Sequence, residues 1–215
     1  MNSSDQNIIL KVCGMRDIEN IQAASDAGVS LMGFIFYEKS KRFIQPELRA
    51  EIFSSIPDNI KKVGVFVNES IDFVKKIVHE YNLDFVQLHG EEDPSYCEAI
   101  KTLTKVIKAF SVDESFDFSI TADYQSCDYL LFDAKGKERG GNGIQYNWDI
   151  LQQYTLDTPF LLSGGLGPED AGKINSFKHK KLAGIDVNSG FESAPAMKNI
   201  ENIKSFISKL TCNTQ

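Results

Sequence analysis

The sequence has no long apolar run, no closely spaced cysteines and few histidines. No stretch of about 18 apolar residues occurs, which is the length that a membrane-spanning helix requires. The N-terminal stretch MNSSDQNIIL lacks the cationic and then apolar pattern of a signal peptide. We therefore expect no membrane partner and a cytoplasmic location.

The cysteines lie far apart and form no CxxC pair; they are Cys13, Cys97, Cys127 and Cys212. Their even number would allow two disulfides, but nothing else indicates secretion, so reduced thiols are the better interpretation. Only three histidines are present, and no cluster has the spacing of metal ligands. We expect no metal site.

Acidic residues outnumber basic ones, with 30 Asp and Glu against 23 Lys and Arg and a formal net charge of −7. This balance disfavours a nucleic-acid partner, which would require a basic face. The length of 215 residues allows one or two domains, but single α/β barrels often fill about 200–250 residues. No linker divides the chain, so we expect a single domain over 1–215.

Eight short apolar runs recur along the chain, and most are continuous rather than alternating, which favours strands buried on both faces. They are IILKVCG, LMGFIF, KVGVFV, FVQLHG, KVIKAF, YLLFDAKG, PFLLSGG and GIDVNSG. Apolar residues at helical spacing occupy 18–27, 71–81, 168–177 and 200–210, whereas the segments after strands five and six are the least convincing helices. The alternation predicts an α/β fold, a single (β/α)8 TIM barrel, with an open doubly wound sheet as the alternative.

In such a barrel, functional groups lie where the strands end. Strand six ends on Asp133 after three apolar residues, and a carboxyl in apolar surroundings is poorly solvated, which favours its protonated form. Asp133 is therefore a candidate general acid. The alternatives are a carboxylate paired with Lys135 and one that caps a turn.

Cys13 is the last residue of strand one, in KVCGMRD, with Asp17 as a cap for the next helix. A buried cysteine is most often a small hydrophobic residue. At a strand end, its thiolate would also suit a base or a nucleophile. We assign Cys97, Cys127 and Cys212 to packing.

Two glycine-rich stretches, SGGLGPED and DVNSGFE, follow strands seven and eight. Small residues let backbone N–H groups approach an anion, and barrels of this class often bind phosphate between these two loops. Simple turns are the alternative. A third stretch, RGGNG at 139–143, lacks the ending of a P-loop and is a candidate flap or phosphate contact.

Two further polar residues follow strands two and four. Arg42, in YEKSKRF, is suited to binding a substrate carboxylate through two hydrogen bonds, although it also fits a solvated charge run. His89, in QLHGEE, is a candidate substrate contact, core histidine or metal ligand. Glu91, Glu92 and Asp93 fit the acidic first turn of a helix.

Together these stretches resemble the phosphoribosylanthranilate isomerase family. The matching segments are KVCGMRD, GFIFYEKSKRFI, VGVFVN, VQLHGEE, LLFDAKGKERGGNG, LLSGGLGPED and GIDVNSGFESAPAMKN, which cover residues 11 to about 199 in order. The chain departs from the family at Asn142, where Thr or Ser is usual, and at Asn188, where Ser is common. These departures affect phosphate and flap contacts, not the reaction class.

The resemblance implies an Amadori rearrangement of N-(5-phosphoribosyl)anthranilate in tryptophan biosynthesis. It assigns Asp133 as general acid, Cys13 as general base and Arg42 as the ligand of the anthranilate carboxylate, with His89 lining the sugar or anthranilate region. The same resemblance places phosphate binding at Gly164, Gly165, Ser189 and Gly190. It implies a small phosphorylated substrate, no cofactor, and a monomer or a homodimer.

Two rival functions remain open on the residues alone. Another phosphosugar isomerase or epimerase, including one that also accepts an aminoaldose, would be expected to use two carboxylates rather than Cys13 and Asp133. A barrel that binds a phosphorylated metabolite without catalysis would survive the loss of Cys13.

Overall fold

The computed structural model describes residues 8–135 and 145–211. Eight parallel strands close into a barrel in chain order, with the first strand hydrogen-bonded to the eighth. The predicted (β/α)8 barrel is confirmed, and the open doubly wound sheet is excluded because an open sheet would leave the first and eighth strands unpaired.

The barrel strands have the bounds that the apolar runs predicted to within a few residues. They are β1 Ile9–Cys13, β2 Leu31–Ile35, β3 Lys61–Phe66, β4 Phe85–Leu88, β5 Lys105–Val112, β6 Tyr129–Ala134, β7 Phe160–Leu162 and β8 Leu182–Val187. A small antiparallel pair follows, β9 Glu192–Ala194 and β10 Met197–Lys198. This pair was not predicted, and it lies beyond the end of β8.

In the described parts of the chain, six α-helices lie between and after the strands: α1 Ile18–Asp26, α2 Pro46–Ser55, α3 Ile71–Tyr81, α4 Pro94–Lys101, α5 Ala171–Ser176 and α6 Ile200–Thr211. Side-chain caps begin four of them, because Asp17, Ser70, Asp93 and Asn199 each accept a hydrogen bond from a backbone N–H in the first turn. After β5 and β6 the described chain forms 3-10 helices, at Phe118–Tyr124 and Trp148–Gln153. The sequences of these two segments show only a weak α-helical pattern because the segments form 3-10 helices.

The acidic stretch after β4 differs from its prediction. A helix begins here, as expected, and Asp93 is its N-cap, but Glu92 is buried and pairs with Lys108 at 3.3 Å. Its carboxylate also accepts hydrogen bonds from the backbone N–H groups of Asn68 and Gly90. Glu92 therefore ties together the loops after β3 and β4, a role that helix-dipole reasoning did not suggest.

The hydrophobic core has two parts: a layer of side chains between the strands and the helices, and a set of side chains inside the barrel. The apolar side chains inside the barrel are Leu31, Val63, Phe85, Ile107, Ala109, Leu131 and Leu161. Cys13, Ile35 and Val65 form a smaller cluster nearer the carboxyl ends of the strands. Because both strand faces are buried, the strand sequences read as continuous apolar runs.

Within the described residues, every helix is too short or too polar to cross a bilayer.

Candidate active site

A cavity opens at the carboxyl ends of the barrel strands, and the empty space within it and at its open mouth is about 650 Å³. Its walls are formed by Cys13, Ile35, Tyr37, Ser40, Val65, Val67, Gln87, His89, Asp133, Ser163, Gly164, Gly165, Leu166, Asp186, Asn188, Ser189 and Gly190. The structure thus brings together seven of the eight predicted site residues. Arg42 is the exception: it does not line the cavity but lies beside it.

Cys13 ends β1 and is almost fully buried. The next residue, Gly14, has φ of +78°, and a Cβ atom there would lie 2.5 Å from Cδ of Arg42 and 2.9 Å from Oδ1 of Asn188. A glycine is required by both the backbone angle and the close approach. Its absence of a side chain lets Arg42 pass directly beside the end of β1.

A buried ion pair lies beneath Cys13. Nζ of Lys11 is 2.8 Å from Oδ1 of Asp186, and the two residues are opposite one another in the β1–β8 register. Burial raises the pKa of the Cys13 thiol, and the positive charge of Lys11 opposes this increase. Burial also acts to lower the pKa of Lys11, but Asp186 and Cys13 outweigh it and the pKa is raised. Lys11 therefore stays charged in the barrel interior.

Asp133 lies at the end of β6 and accepts hydrogen bonds through both oxygens. Oδ1 accepts from the backbone N–H of Ala134 at 3.0 Å and from Oγ of Ser163 at 3.3 Å. Oδ2 lies 3.3 Å from Nε2 of His89. Lys135, the alternative partner considered from sequence, instead binds Asp113 at 2.6 Å. The carboxyl group therefore faces the cavity, not a surface lysine.

His89 is oriented by a second side chain. Nε2 of Gln87 lies 2.8 Å from Nδ1 of His89. With the amide nitrogen as donor, Nδ1 is the acceptor and the ring proton is on Nε2, the atom that faces Asp133. Gln87, His89 and Asp133 thus form a line of hydrogen bonds along the cavity wall.

Arg42 is held by a carboxylate of the chain itself. Its Nε and Nη2 donate to the two oxygens of Glu192, at 2.8 and 2.5 Å. Lys198 binds the same carboxylate at 2.5 Å and also donates to Oδ1 of Asn188 at 2.8 Å. Burial acts to raise the pKa of Glu192, but Arg42 and Lys198 outweigh it and lower the pKa. This Arg42–Glu192–Lys198 network adjoins the cavity at the Cys13 end.

The two glycine-rich loops meet at one side of the cavity. Gly164, Gly165, Ser189 and Gly190 all line it. Gly164 has φ of +98°, and a Cβ atom there would lie 2.5 Å from the backbone nitrogen of Ala134. A side chain is therefore excluded at this position, and the backbone of the loop stays open to a ligand. The side chain of Asn188, the residue that stands where Ser is common in the family, accepts a hydrogen bond from Lys198.

The third glycine stretch, RGGNG at 139–143, lies within 136–144, a range outside the described residues. Across 8–135 and 145–211, no group of three or more His, Cys, Asp or Glu side chains is placed to hold a metal ion.

The model of the N-(5'phosphoribosyl)anthranilate (PRA) isomerase family matches residues 10–209. The chain belongs to this family. It is therefore an isomerase of tryptophan biosynthesis that acts on phosphoribosylanthranilate. The prediction from sequence is confirmed at the level of the family, the enzyme class and the reaction.

Named relatives support the same assignment. The N-(5'-phosphoribosyl)anthranilate isomerase of Parabacteroides distasonis is 43% identical over 206 residues, which cover 94% of this chain and 93% of the relative. The crystal structure of the isomerase from Thermotoga maritima has a TM-score of 0.85, with 34% identity over 95% of this chain and 98% of that one. Another isomerase structure, in complex with reduced 1-(o-carboxyphenylamino)-1-deoxyribulose 5-phosphate, has a TM-score of 0.82 and 31% identity over 95% and 98% of the two chains.

The sequence interpretation missed the charged residues around this isomerase site. Lys11, Asp186, Glu192 and Lys198 are all buried or nearly so. A signal was available for one of them: Lys11 interrupts the apolar strand IILKVC two residues before Cys13, so both side chains point to the same side of β1.

Proposed function

We propose that the chain catalyses the rearrangement with Asp133 as general acid and Cys13 as general base. The observation that carries this proposal is that both side chains line one cavity, at the ends of β1 and β6, with β7 and β8 between them. A single bound sugar can therefore meet the two groups from different sides. Each proton transfer then has a side chain of its own, and no cofactor is needed.

In the first step, Asp133 protonates the furanose ring oxygen. The bond between C1′ and this oxygen breaks while the anilino nitrogen lone pair forms the C=N bond of a Schiff base. The hydrogen bonds from His89 and Ser163 support this step, because they fix the direction of the carboxyl group toward the cavity.

In the second step, the Cys13 thiolate removes the proton from C2′. The electron pair of the C–H bond moves toward the protonated Schiff base and gives an enolamine, which becomes the ketone. Burial favours the neutral thiol in the free protein, so the base must be formed by loss of the thiol proton. The activity should therefore rise with pH on its acidic side.

Arg42 is proposed to bind the anthranilate carboxylate. Nε and Nη2 already bind Glu192, so Nη1 is the nitrogen that we assign to the substrate. The position of Arg42 next to Gly14 supports this, because the guanidinium group is held close to the cavity without filling it. His89 would then touch the sugar as well as Asp133.

The phosphate is proposed to bind between the loops after β7 and β8. Backbone N–H groups of Gly164, Gly165 and Gly190 and the hydroxyl of Ser189 are the donors. Support comes from their shared position on the cavity wall and from the steric requirement for glycine at Gly164.

We further propose that residues 1–215 act as one barrel domain, as a monomer or a homodimer, in the cytoplasm. The free thiols of Cys13, Cys97 and Cys127 support a reducing location.

The test is to follow the fluorescence of phosphoribosylanthranilate, made in place from anthranilate and phosphoribosyl pyrophosphate by a separate transferase. The native chain is compared with Cys13→Ala and Asp133→Asn, with folding checked by circular dichroism. Loss of one acid or base should slow turnover by about 10²–10⁴-fold. Cys97→Ala, which removes a buried thiol outside the cavity, is the matched control and should retain turnover.

Rapid fluorescence loss with the native chain and slow loss with both variants would support the two assignments. Unchanged rates in folded variants would contradict the roles of Cys13 and Asp133 while keeping the substrate. A folded native chain without activity would point to a different phosphosugar or to a barrel that only binds its ligand.

A further inference from the structure

Lys11 is fully buried inside the barrel, yet the proposed acid–base mechanism does not use it. Its partner Asp186 is also buried and lines the cavity. Burying an ion pair rarely adds stability over apolar side chains of similar size, because both charges lose their hydration. The pair therefore requires an explanation other than stability.

Lys11 lies next to the sulfur atom of Cys13. The two residues are two positions apart on β1 and point to the same side of the strand. A Cβ atom at Gly33, on the neighbouring strand, would lie 2.7 Å from Sγ of Cys13 and 3.1 Å from Nζ of Lys11. Sγ of Cys13 and Nζ of Lys11 therefore lie close to the same position above Gly33. The missing side chain at that position leaves the space that they share.

We propose that Lys11 is a positioning residue for the isomerase reaction: its ammonium group, fixed by Asp186, stabilises the thiolate form of Cys13. This inference rests on the proposed function, in which Cys13 is the general base. During the reaction the thiolate takes the C2′ proton, and Lys11 keeps its own protons throughout. The ammonium acts through its charge and not as a second acid.

Other charged groups also face Cys13 from the surrounding elements. They are Asp186 on β8, Lys198 on β10 and Arg42 in the loop after β2. Asp133 and His89 line the same cavity as Cys13. Burial raises the pKa of Cys13, and Lys11 is the strongest group acting in the opposite direction, followed by Lys198. Asp186 itself acts to raise that pKa, so its contribution is to hold Lys11 in place.

The test compares the native chain with Lys11→Met at a series of pH values. Cys13 is alkylated with iodoacetamide, and the modified peptide is quantified by mass spectrometry, so that the other cysteines do not contribute. Removing a cation close to the thiolate should move the pH midpoint of Cys13 alkylation upward by at least about one unit. The acidic limb of the pH profile of kcat/KM should move in the same direction.

Lys108→Met is the matched control. Lys108 is as buried as Lys11 and pairs with Glu92, but its Nζ binds the backbone after β4 rather than the space near Cys13. Its removal is expected to leave the alkylation midpoint of Cys13 unchanged. A general loss of packing would affect both variants, whereas an electrostatic effect is restricted to Lys11→Met.

An unchanged alkylation midpoint in folded Lys11→Met would overturn the inference, whatever the result for Cys13→Ala. A shifted midpoint with an unshifted kcat/KM limb would overturn the role of Lys11 in the reaction. If Lys11→Met does not fold, the double variant Lys11→Met with Asp186→Leu replaces the pair by apolar side chains. A smaller upward shift is then expected, because Asp186, which acts to raise the pKa of Cys13, is removed together with the stronger opposing charge of Lys11. The proposed role of Cys13 as general base is tested separately: it would be contradicted if Cys13→Ala retained activity.

Discussion

The two ends of the cavity surround their reactive groups with different chemistry. At the Cys13 end, three cations lie close by: Lys11, Lys198 and Arg42. At the Asp133 end, the neighbours are hydrogen-bond donors, namely His89, Ser163 and a backbone N–H group. The proposed base, which must become an anion before it can act, lies among positive charges. The proposed acid, which must deliver a proton in one direction, is oriented by hydrogen bonds.

Because of this difference, substitutions at the two ends of the cavity should have different effects. Loss of a charge at the Cys13 end should change pH dependence and stability, because those cations need buried carboxylates to balance them. Loss of a hydrogen bond at the Asp133 end should change the rate of turnover with little change in its pH dependence.

The largest effect is expected for Glu192→Gln at the Cys13 end. Two cations, Arg42 and Lys198, would lose their shared carboxylate in a nearly buried position. We expect a loss of about 3 kcal/mol in the free energy of unfolding, measured by urea denaturation. Glu201→Gln is the matched control, since Glu201 binds Lys204 at an exposed position, and it should leave the urea midpoint unchanged. Equal stability of the two variants would show that the Arg42–Glu192–Lys198 network carries no net stability.

The same variant has a definite pH dependence. The pKa of Glu192 is lowered from its ordinary value of 4.5 in the folded protein. The folded chain therefore binds this proton less tightly than the unfolded chain, and the carboxylate stabilises the fold fully above its unfolded pKa. This contribution is lost as the pH falls through the folded value. The stability difference between native chain and Glu192→Gln should shrink on acidification, and a constant difference would contradict the assignment.

An intermediate effect is expected for His89→Asn at the Asp133 end. The change removes the Nε2–H group that orients the Asp133 carboxyl group, and a misplacement of a catalytic group by about 1 Å can slow a reaction by about 100-fold. We expect kcat to fall by about 10- to 100-fold. The acidic limb of the kcat/KM profile should stay in place, because Cys13 and its cations are unchanged. A shift of that limb would show that the two ends are coupled.

The smallest effect is expected for Tyr146→Phe. Tyr146 lies beside Asp133 and its hydroxyl donates to the backbone oxygen of Phe132 at 3.3 Å. A neutral hydrogen bond of this kind contributes about 0.5–1.5 kcal/mol to stability. We expect a small decrease in thermal stability and a kcat close to that of the native chain. A loss of turnover as large as that of His89→Asn would place Tyr146 in the set of groups that orient the acid.

Most of the fold could be predicted from sequence because each barrel strand is a local apolar run. The helix caps Asp17 and Asp93 are local signals as well. The 3-10 helices after β5 and β6 were correctly recognised as weak, since their apolar residues lack a clean helical period. The β9–β10 pair was missed because two strands of three and two residues leave almost no pattern.

The site was predictable only in part, for a physical reason. Residues at strand ends can be named from sequence, and Cys13, His89 and Asp133 do meet in one cavity. Their partners cannot be named, because pairing depends on the register of distant strands. Lys11 and Asp186 are 175 positions apart. Nothing local to either residue indicates that the closed barrel places them side by side.

The pairing of β1 with β8 also has a consequence for how the chain is made. During synthesis β1 emerges first, and its Lys11 must remain without its carboxylate until almost the whole chain has followed. A nascent chain that ends before residue 186 carries the cysteine but not the anchored ammonium beneath it. Competence for the reaction should therefore arise in a single late event, when the last strand closes the ring, and not gradually as successive strands assemble.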